Sequence, residues 1–411
     1  MLTFLPLLVA WVLTAPNPTE EIPIAASPRE VEPGQTRLLT SGKGMRYFLR
    51  VPASYDAKKG ARVVVFMHGS NMNGLTYLRS FEAKRWAADA ILVCPNGETG
   101  DQTYGANNFT FGSAPFVAEV TEEVLSAFRS TRVYIGGHSQ GGFVTYSVIM
   151  HYPDLFHGAF PMAGDCWSQN EPNLWETKPD LVAKQKKIAI AVIHGQADPV
   201  VAFSQGQHAF DVFNVMGYPK LRLFAPKHLG HQFMLSPVAE ALEWLDAVTG
   251  LAPDRATKLA SRWVSEGEWG WVTAVAAATG KAKLSKASSR KRKAMIKNAE
   301  KAAKKALKGV AKRMEGRPAR EWLPLAYEYR RLFGSTKAAR KFVNRFDRVR
   351  AEQRQLGETL FSEARGHFQN SAQAEGYTKL ERLLAEAPYS YYAYYALSWL
   401  DQRDAETKKG S

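Results

Sequence analysis

The sequence predicts a mostly parallel α/β sheet flanked by helices over residues 35–250, followed by an all-α region over 251–411. Three observations lead there. Short apolar runs alternate with stretches long enough for a helix as far as about residue 250, and then stop. The 411 residues are 45% apolar and 23% charged, an ordinary globular balance in a chain long enough for two domains. Charge divides unevenly: residues 1–250 hold 20 Lys+Arg against 22 Asp+Glu, and residues 251–411 hold 34 against 17. The net charge of +15 therefore arises wholly in the second part, which implies modules with different tasks. No apolar run reaches the roughly 18 residues of a membrane-spanning helix, which excludes a polytopic membrane protein. Two cysteines exclude a disulfide-stapled scaffold and an all-cysteine zinc site.

The first residues are apolar almost without interruption from Leu2 to Leu13, too short to span and the right length for a signal-peptide core. Thr14-Ala15 offers a small-residue cleavage point, although no Lys or Arg precedes the run. A signal peptide over 1–15 and export to the periplasm or beyond are expected, with a Pro- and Glu-rich linker over 16–34.

Met45–Val51 alternates in polarity and reads as an antiparallel entry strand. The runs 62–67, 90–94, 132–136, 158–163, 187–193 and 221–225 lack polar alternation, so each reads as a strand covered on both faces. Helix-length spacers between them imply parallel pairing through right-handed crossovers. In such sheets ligands sit beyond the carboxyl ends of the strands, so the chemistry belongs just after each run.

After the third run comes Gly137-His138-Ser139-Gln140-Gly141-Gly142, then a helical stretch. This is G-x-S-x-G between a strand and a helix. A nucleophile on so sharp a turn has strained backbone angles, and side chains two residues to either side would collide, hence Gly137 and Gly141. Ser139 is the expected nucleophile, raised above the sheet at the positive end of the next helix. A serine needs a base, and the acid should follow the serine in the chain and precede the histidine. Asp198 follows the fifth run and is the expected acid. Two histidines follow the sixth run, His228 and His231; Gly230 permits the close approach a base needs, which favours His231. The oxyanion donors are expected to be the backbone N–H groups of Gln140 and Ser70, with His68 a structural loop residue.

On these residues, residues 45–250 resemble the esterase branch of the α/β-hydrolases, in particular the polyhydroxybutyrate depolymerase and feruloyl esterase group and small bacterial carboxylesterases. The matching pieces are Arg46–Pro52, His68-Gly69-Ser70-Asn71, the Ser139 elbow, His151–Phe156 and His194–Asp198. Leu229-Gly230-His231 departs from the Gly-Gly-His usual in that group. The resemblance implies an α/β-hydrolase fold and hydrolysis of a small-molecule or polymer-linked carboxylic ester through an acyl-enzyme, with no cofactor and no metal. A thioesterase or peptidase on the same triad, or a scaffold whose basic region does the work, is the alternative. The strand order it implies sets Cys94 and Cys166 about 14 Å apart, too far to bridge. Aromatic residues in 104–111, with Trp167 and Trp175, are candidates for a substrate wall.

Beyond residue 254 the chain is rich in Ala, Lys, Arg, Glu and Leu. Residues 281–313 hold 14 Lys+Arg and one acid, with Met295, Ala299, Ala303, Ala306, Val310 and Met314 recurring at helical spacing. A polyanion or membrane-surface contact through 281–313 is expected, without sequence-specific nucleic-acid binding. Helices are predicted over 320–333, 338–356, 357–370, 376–387 and 389–402, the last two in a hairpin rhythm. Trp263, Trp269 and Trp271 are expected to pack the junction near residue 250. A chain ending near Gly250 is expected to keep hydrolysis of small esters unless those tryptophans cover an apolar patch.

Overall fold

A computed structural model of the protein describes residues 21–166 and 179–409. The expected signal peptide, its cleavage point, Trp167 and Trp175 lie outside the described residues. The chain forms two compact units, Met1–Leu155 and Phe156–Ser411.

The first unit runs β1 (Thr36–Thr40), β2 (Arg46–Arg50), β3 (Ala61–Met67), α1 (Gly74–Glu82), β4 (Ala90–Pro95), a two-residue pairing of β5 (Thr99–Gly100) with β6 (Asn107–Asn108), α2 (Ala114–Ala127), β7 (Ser130–His138) and α3 (Gln140–His151). Its sheet has the order β1-β2-β4-β3-β7. β2 is antiparallel to β1 and β4, whereas β3 is parallel to β4 and β7, with Val64 level with Leu92 and Tyr134. Two of the strands without polar alternation are buried as expected, all six residues of β4 and Val63 to Met67 of β3, whereas the run at 221–225 forms β10 (Leu221–Phe224), buried only at Leu221 and Phe224. The stretch read as the antiparallel entry strand is β2; it is antiparallel as expected, but β1 precedes it and its three central residues are all buried. β1 has no counterpart in the sequence reading; Thr36-Arg37-Leu38-Leu39-Thr40 offers only two buried side chains, the signature of an edge. α1 starts where the Asn73 side chain accepts the Thr76 amide at 3.0 Å.

The second unit opens with β8 (Gly158–Met162), α4 (Pro179–Gln185), β9 (Ala189–Ile193), α5 (Phe203–Met216), β10 (Leu221–Phe224) and α6 (Leu235–Thr249). β9 pairs in parallel with β8 on one side and β10 on the other. Seven helices follow: α7 (Pro253–Glu266), α8 (Trp269–Ala278), α9 (Lys286–Met314), α10 (Ala319–Phe333), α11 (Arg340–Gln369), α12 (Gln373–Glu386) and α13 (Tyr392–Lys409). The fold class read from the sequence, a mostly parallel α/β sheet and an all-α C-terminal region, is the one observed.

Among the helices one expectation fails. The helices expected over 338–356 and 357–370 are a single 30-residue helix, α11. Gly357 does not end it. Gly357 is buried, and a Cβ there would collide with the Ser390 side chain, so the glycine marks a close approach to the turn before α13 and not a chain break.

The helices after Gly250 are joined closely to β8–β10 within the second unit. Trp271 Nε1 donates to the Leu221 carbonyl of β10 at 2.8 Å, and its ring meets Trp263 and Trp244 edge-on. The Arg222 guanidinium lies 4.2 Å from the centre of Phe224 and 4.4 Å from that of Trp271. Trp263 and Trp271 thus pack the junction as expected, whereas Trp269 packs against the cluster of Ala303, Val310 and Tyr329 between α9 and α10. Arg330 of α10, fully desolvated, donates through Nη2 to the Asn214 and Val215 carbonyls at the end of α5 (2.8 and 2.6 Å) and through Nη1 to Asp347 at 2.8 Å. Burial pulls its guanidinium down to about 10, helped by Arg350 and opposed by Asp347.

Candidate active site

Ser139 is the one residue between β7 and α3, with φ 55° and ψ −117°. A serine pays for those angles, and the surrounding backbone enforces them. A Cβ at Gly137 would strike the Gly141 carbonyl, and one at Gly141 would strike the Met67 and His68 carbonyls. The Gly141 amide donates to the His68 carbonyl at 3.1 Å, clamping the turn onto the end of β3. The histidines beside it are structural. His138 Nδ1 meets the Tyr77 hydroxyl at 3.0 Å. His68 Nε2 sits 3.0 Å from the Asn96 carbonyl, and burial lowers its pKa, keeping it neutral.

Ser139 opens onto a cavity of about 240 Å³ with Ser70, Phe109, Thr110, Gln140, Phe143 and Val144 in its lining. The backbone amides of Ser70 and Gln140 have no hydrogen-bond acceptor among the described residues, so both are open to a ligand. The Gln140 side chain is committed elsewhere: Oε1 accepts the Phe109 amide at 2.9 Å and fixes the aromatic wall. From the 104–111 stretch, Phe109 reaches this cavity; Tyr104 instead packs on Phe48, and its hydroxyl oxygen accepts the Ile22 amide at 2.9 Å.

Asp198 stands on the turn after β9 and His231 in the loop between β10 and α6. His231 Nδ1 lies 2.9 Å from Oδ2 and 3.1 Å from Oδ1 of Asp198. Oδ1 also accepts the Val200 and Val201 amides, each at 2.9 Å. Burial raises the Asp198 pKa, but the hydrogen bonds from His231 and the two amides outweigh it and hold the carboxyl below its usual range. The carboxylate therefore selects the tautomer with the proton on Nδ1. The two loops are joined where the Ala197 amide donates to the Leu229 carbonyl at 3.1 Å. His228 is exposed and lines a separate cavity of about 560 Å³ along β10, with Arg222 and Met234. Of the two histidines, His231 is the one brought to Asp198.

Two arrangements were not read from the sequence. His194, buried, places Nε2 3.6 Å from Asp198 Oδ2 and 2.8 Å from the Val201 carbonyl; burial lowers its pKa, so it braces the acid turn as a neutral ring. Asp165, Cys166 and His208 gather with potential ligand atoms within 4.8 Å of one another, although the sequence shows no metal-ligand spacing. The carboxylate there is already engaged: His208 Nδ1 lies 2.9 and 3.0 Å from its oxygens, and the Cys166 amide donates to Oδ1 at 2.7 Å. The separation of 43 residues hides this pair from any local motif. Cys94 and Cys166 are both buried and unbridged.

Residues 114–248 match the family model described as Phospholipase/Carboxylesterase. The chain is 27% identical over 189 residues to a probable feruloyl esterase C of Aspergillus terreus, covering 42% of this chain and 63% of the relative. It is 27% identical over 140 residues to poly(3-hydroxyalkanoate) depolymerase C of Paucimonas lemoignei, covering 30% of this chain and 32% of the relative. The chain thus spans less than two thirds of either relative's length. Among solved structures, acyl-protein thioesterase 2 of Zea mays matches at 17% identity with a TM-score of 0.42, over 49% of this chain and 98% of that one. The likeness to the α/β-hydrolase esterases read from the sequence is therefore matched by a Phospholipase/Carboxylesterase family model across α2 to α6, the stretch that holds Ser139, Asp198 and His231.

Proposed function

We propose that this chain hydrolyses carboxylic esters through an acyl-enzyme, with Ser139 as nucleophile, His231 as base, Asp198 as the group that orients and charges-balances the imidazole, and the Ser70 and Gln140 amides as oxyanion donors. The observation that carries the reading is Ser139 at φ 55°, on a glycine-flanked turn, lining one cavity with two unengaged amides. His231 takes the Ser139 proton as the hydroxyl attacks the ester carbonyl, and returns it to the departing alcohol. Charge moves to the carbonyl oxygen, where each donor contributes on the order of a hundredfold. Water, deprotonated by the same histidine, then releases the acid.

Phe109 and Phe143 in the cavity suit a flat or aryl acyl group. One relative is named for feruloyl esters, which supports including aryl esters among the substrates. The other is named for a polymeric ester, which supports testing polymer-linked ones. The apolar run Leu2–Leu13 supports export, and N-terminal sequencing of protein recovered from the culture medium tests it. Among the described residues no helix is long and apolar enough to cross a membrane.

The test is a panel of p-nitrophenyl and methyl feruloyl esters with wild type and Ser139→Ala in parallel. The variant should fold normally and lose turnover by at least about a thousandfold. Unchanged turnover would remove Ser139 from the chemistry.

A further inference from the structure

α9 carries a long row of unneutralised charge. From Lys286 to Lys312 a basic residue recurs at every third or fourth position, with Arg290, Lys293, Lys297, Lys301, Lys304 and Lys308 between them. All eight are exposed, and none makes an ion pair or hydrogen bond among the described residues. At 100° per residue they fall in one arc of about 100°, a stripe about 39 Å long. The opposite side of the helix carries buried Met295, Ala299, Ala303 and Val310, packed against α7, α8 and α10. The stripe thus faces directly away from the core on a helix held along its length. The single acid of α9, Glu300, does not offset it: its carboxylate accepts the amides of Lys337 and Ala338 at 2.7 and 2.9 Å.

We propose that this stripe binds a linear acidic polysaccharide, a glycan chain carrying carboxylates or sulfates along its length. Eight like charges aligned on a ridge one helix wide meet a chain along its axis, one contact per helical turn. The arc contains only Lys, Arg and Ala, so recognition is by charge alone. It has no bulky apolar or aromatic side chain to enter a lipid surface. It has no aromatic ring on which bases would stack. This proposal is independent of the chemistry assigned to Ser139.

The test uses the full chain and polygalacturonate, with binding measured at about 0.05 and 0.3 M salt. The compared variant carries Lys293→Gln, Lys297→Gln, Lys301→Gln, Lys304→Gln and Lys308→Gln together. Its control removes equal charge elsewhere, by Lys43→Gln, Lys58→Gln, Lys59→Gln, Lys187→Gln and Lys379→Gln. Wild type should bind, and higher salt should weaken binding at least about tenfold. The stripe variant should bind at least about tenfold more weakly and the control within about twofold of wild type. Melting temperature and p-nitrophenyl acetate turnover establish that each variant is folded; a milder Lys297→Gln, Lys304→Gln variant, about threefold weaker, serves if the fivefold one is not. The proposal is overturned by no binding, by equal losses in stripe variant and control, or by tighter binding per charge to vesicles of 70% phosphatidylcholine and 30% phosphatidylserine or to random-sequence duplex DNA.

Discussion

At the scale of single residues, the site rests on a contrast between two histidines three positions apart. His231 is half-buried with Nδ1 on Asp198, whereas His228 is exposed on another cavity. His231→Ala should lower kcat for p-nitrophenyl acetate by at least about a thousandfold, and His228→Ala by less than about twofold. The reverse ranking would move the base to His228. The turn at Ser139 was legible because it leaves a local mark: within the five positions Gly137 to Gly141 neither glycine has room for a Cβ, although at Gly141 the obstacle is the Met67 and His68 carbonyls. Asp198 and His231 were singled out by chain order and by their place after strand ends, and the structure pairs their side chains. His194 was not, since its role is set by burial against Asp198 and Val201, which no spacing encodes. The Asp165–His208 pair was hidden for the same reason, its members being joined only by the fold.

At the scale of elements, buried strands announced themselves and edge or contact features did not. β3, β4, β8 and β9 are apolar on both faces and appear in the sequence as continuous runs. β1 is an edge strand of mixed polarity and was missed. α11 runs through Gly357; glycine ordinarily weakens a helix interior, yet here it admits Ser390. The two readings make opposite predictions. Were Gly357 only a weak point, Gly357→Ala would stabilise the helix by up to about 1 kcal/mol. Crowding by Ser390 instead predicts a loss of about 1–3 kcal/mol, read by urea unfolding. Gly357→Ala with Ser390→Gly should recover much of that loss.

At the scale of the whole molecule, the unequal charge of the two parts of the sequence suggested a catalytic module ending near residue 250 and a separable basic one. Contacts group the chain into Met1–Leu155 and Phe156–Ser411, and the helices beyond Gly250 share a unit with β8–β10. A chain ending at Gly250 would lose the Trp271 cap on the Leu221 carbonyl, expose Trp244, and leave the end of α5 without the Arg330 guanidinium. It should aggregate on expression, or melt well below the full chain, as followed by light scattering and thermal unfolding. A soluble fragment melting like the full chain would show that these contacts add little.

The central claim is that Ser139 is the nucleophile, and covalent labelling tests it most directly. Full-length protein is treated with a fluorophosphonate, digested, and the adduct located by mass spectrometry. The account predicts one adduct, on the peptide containing Ser139, formed in proportion to lost esterase activity and absent from Ser139→Ala. An adduct on a different serine with the same loss of activity, or full esterase activity in protein labelled at Ser139, would contradict it.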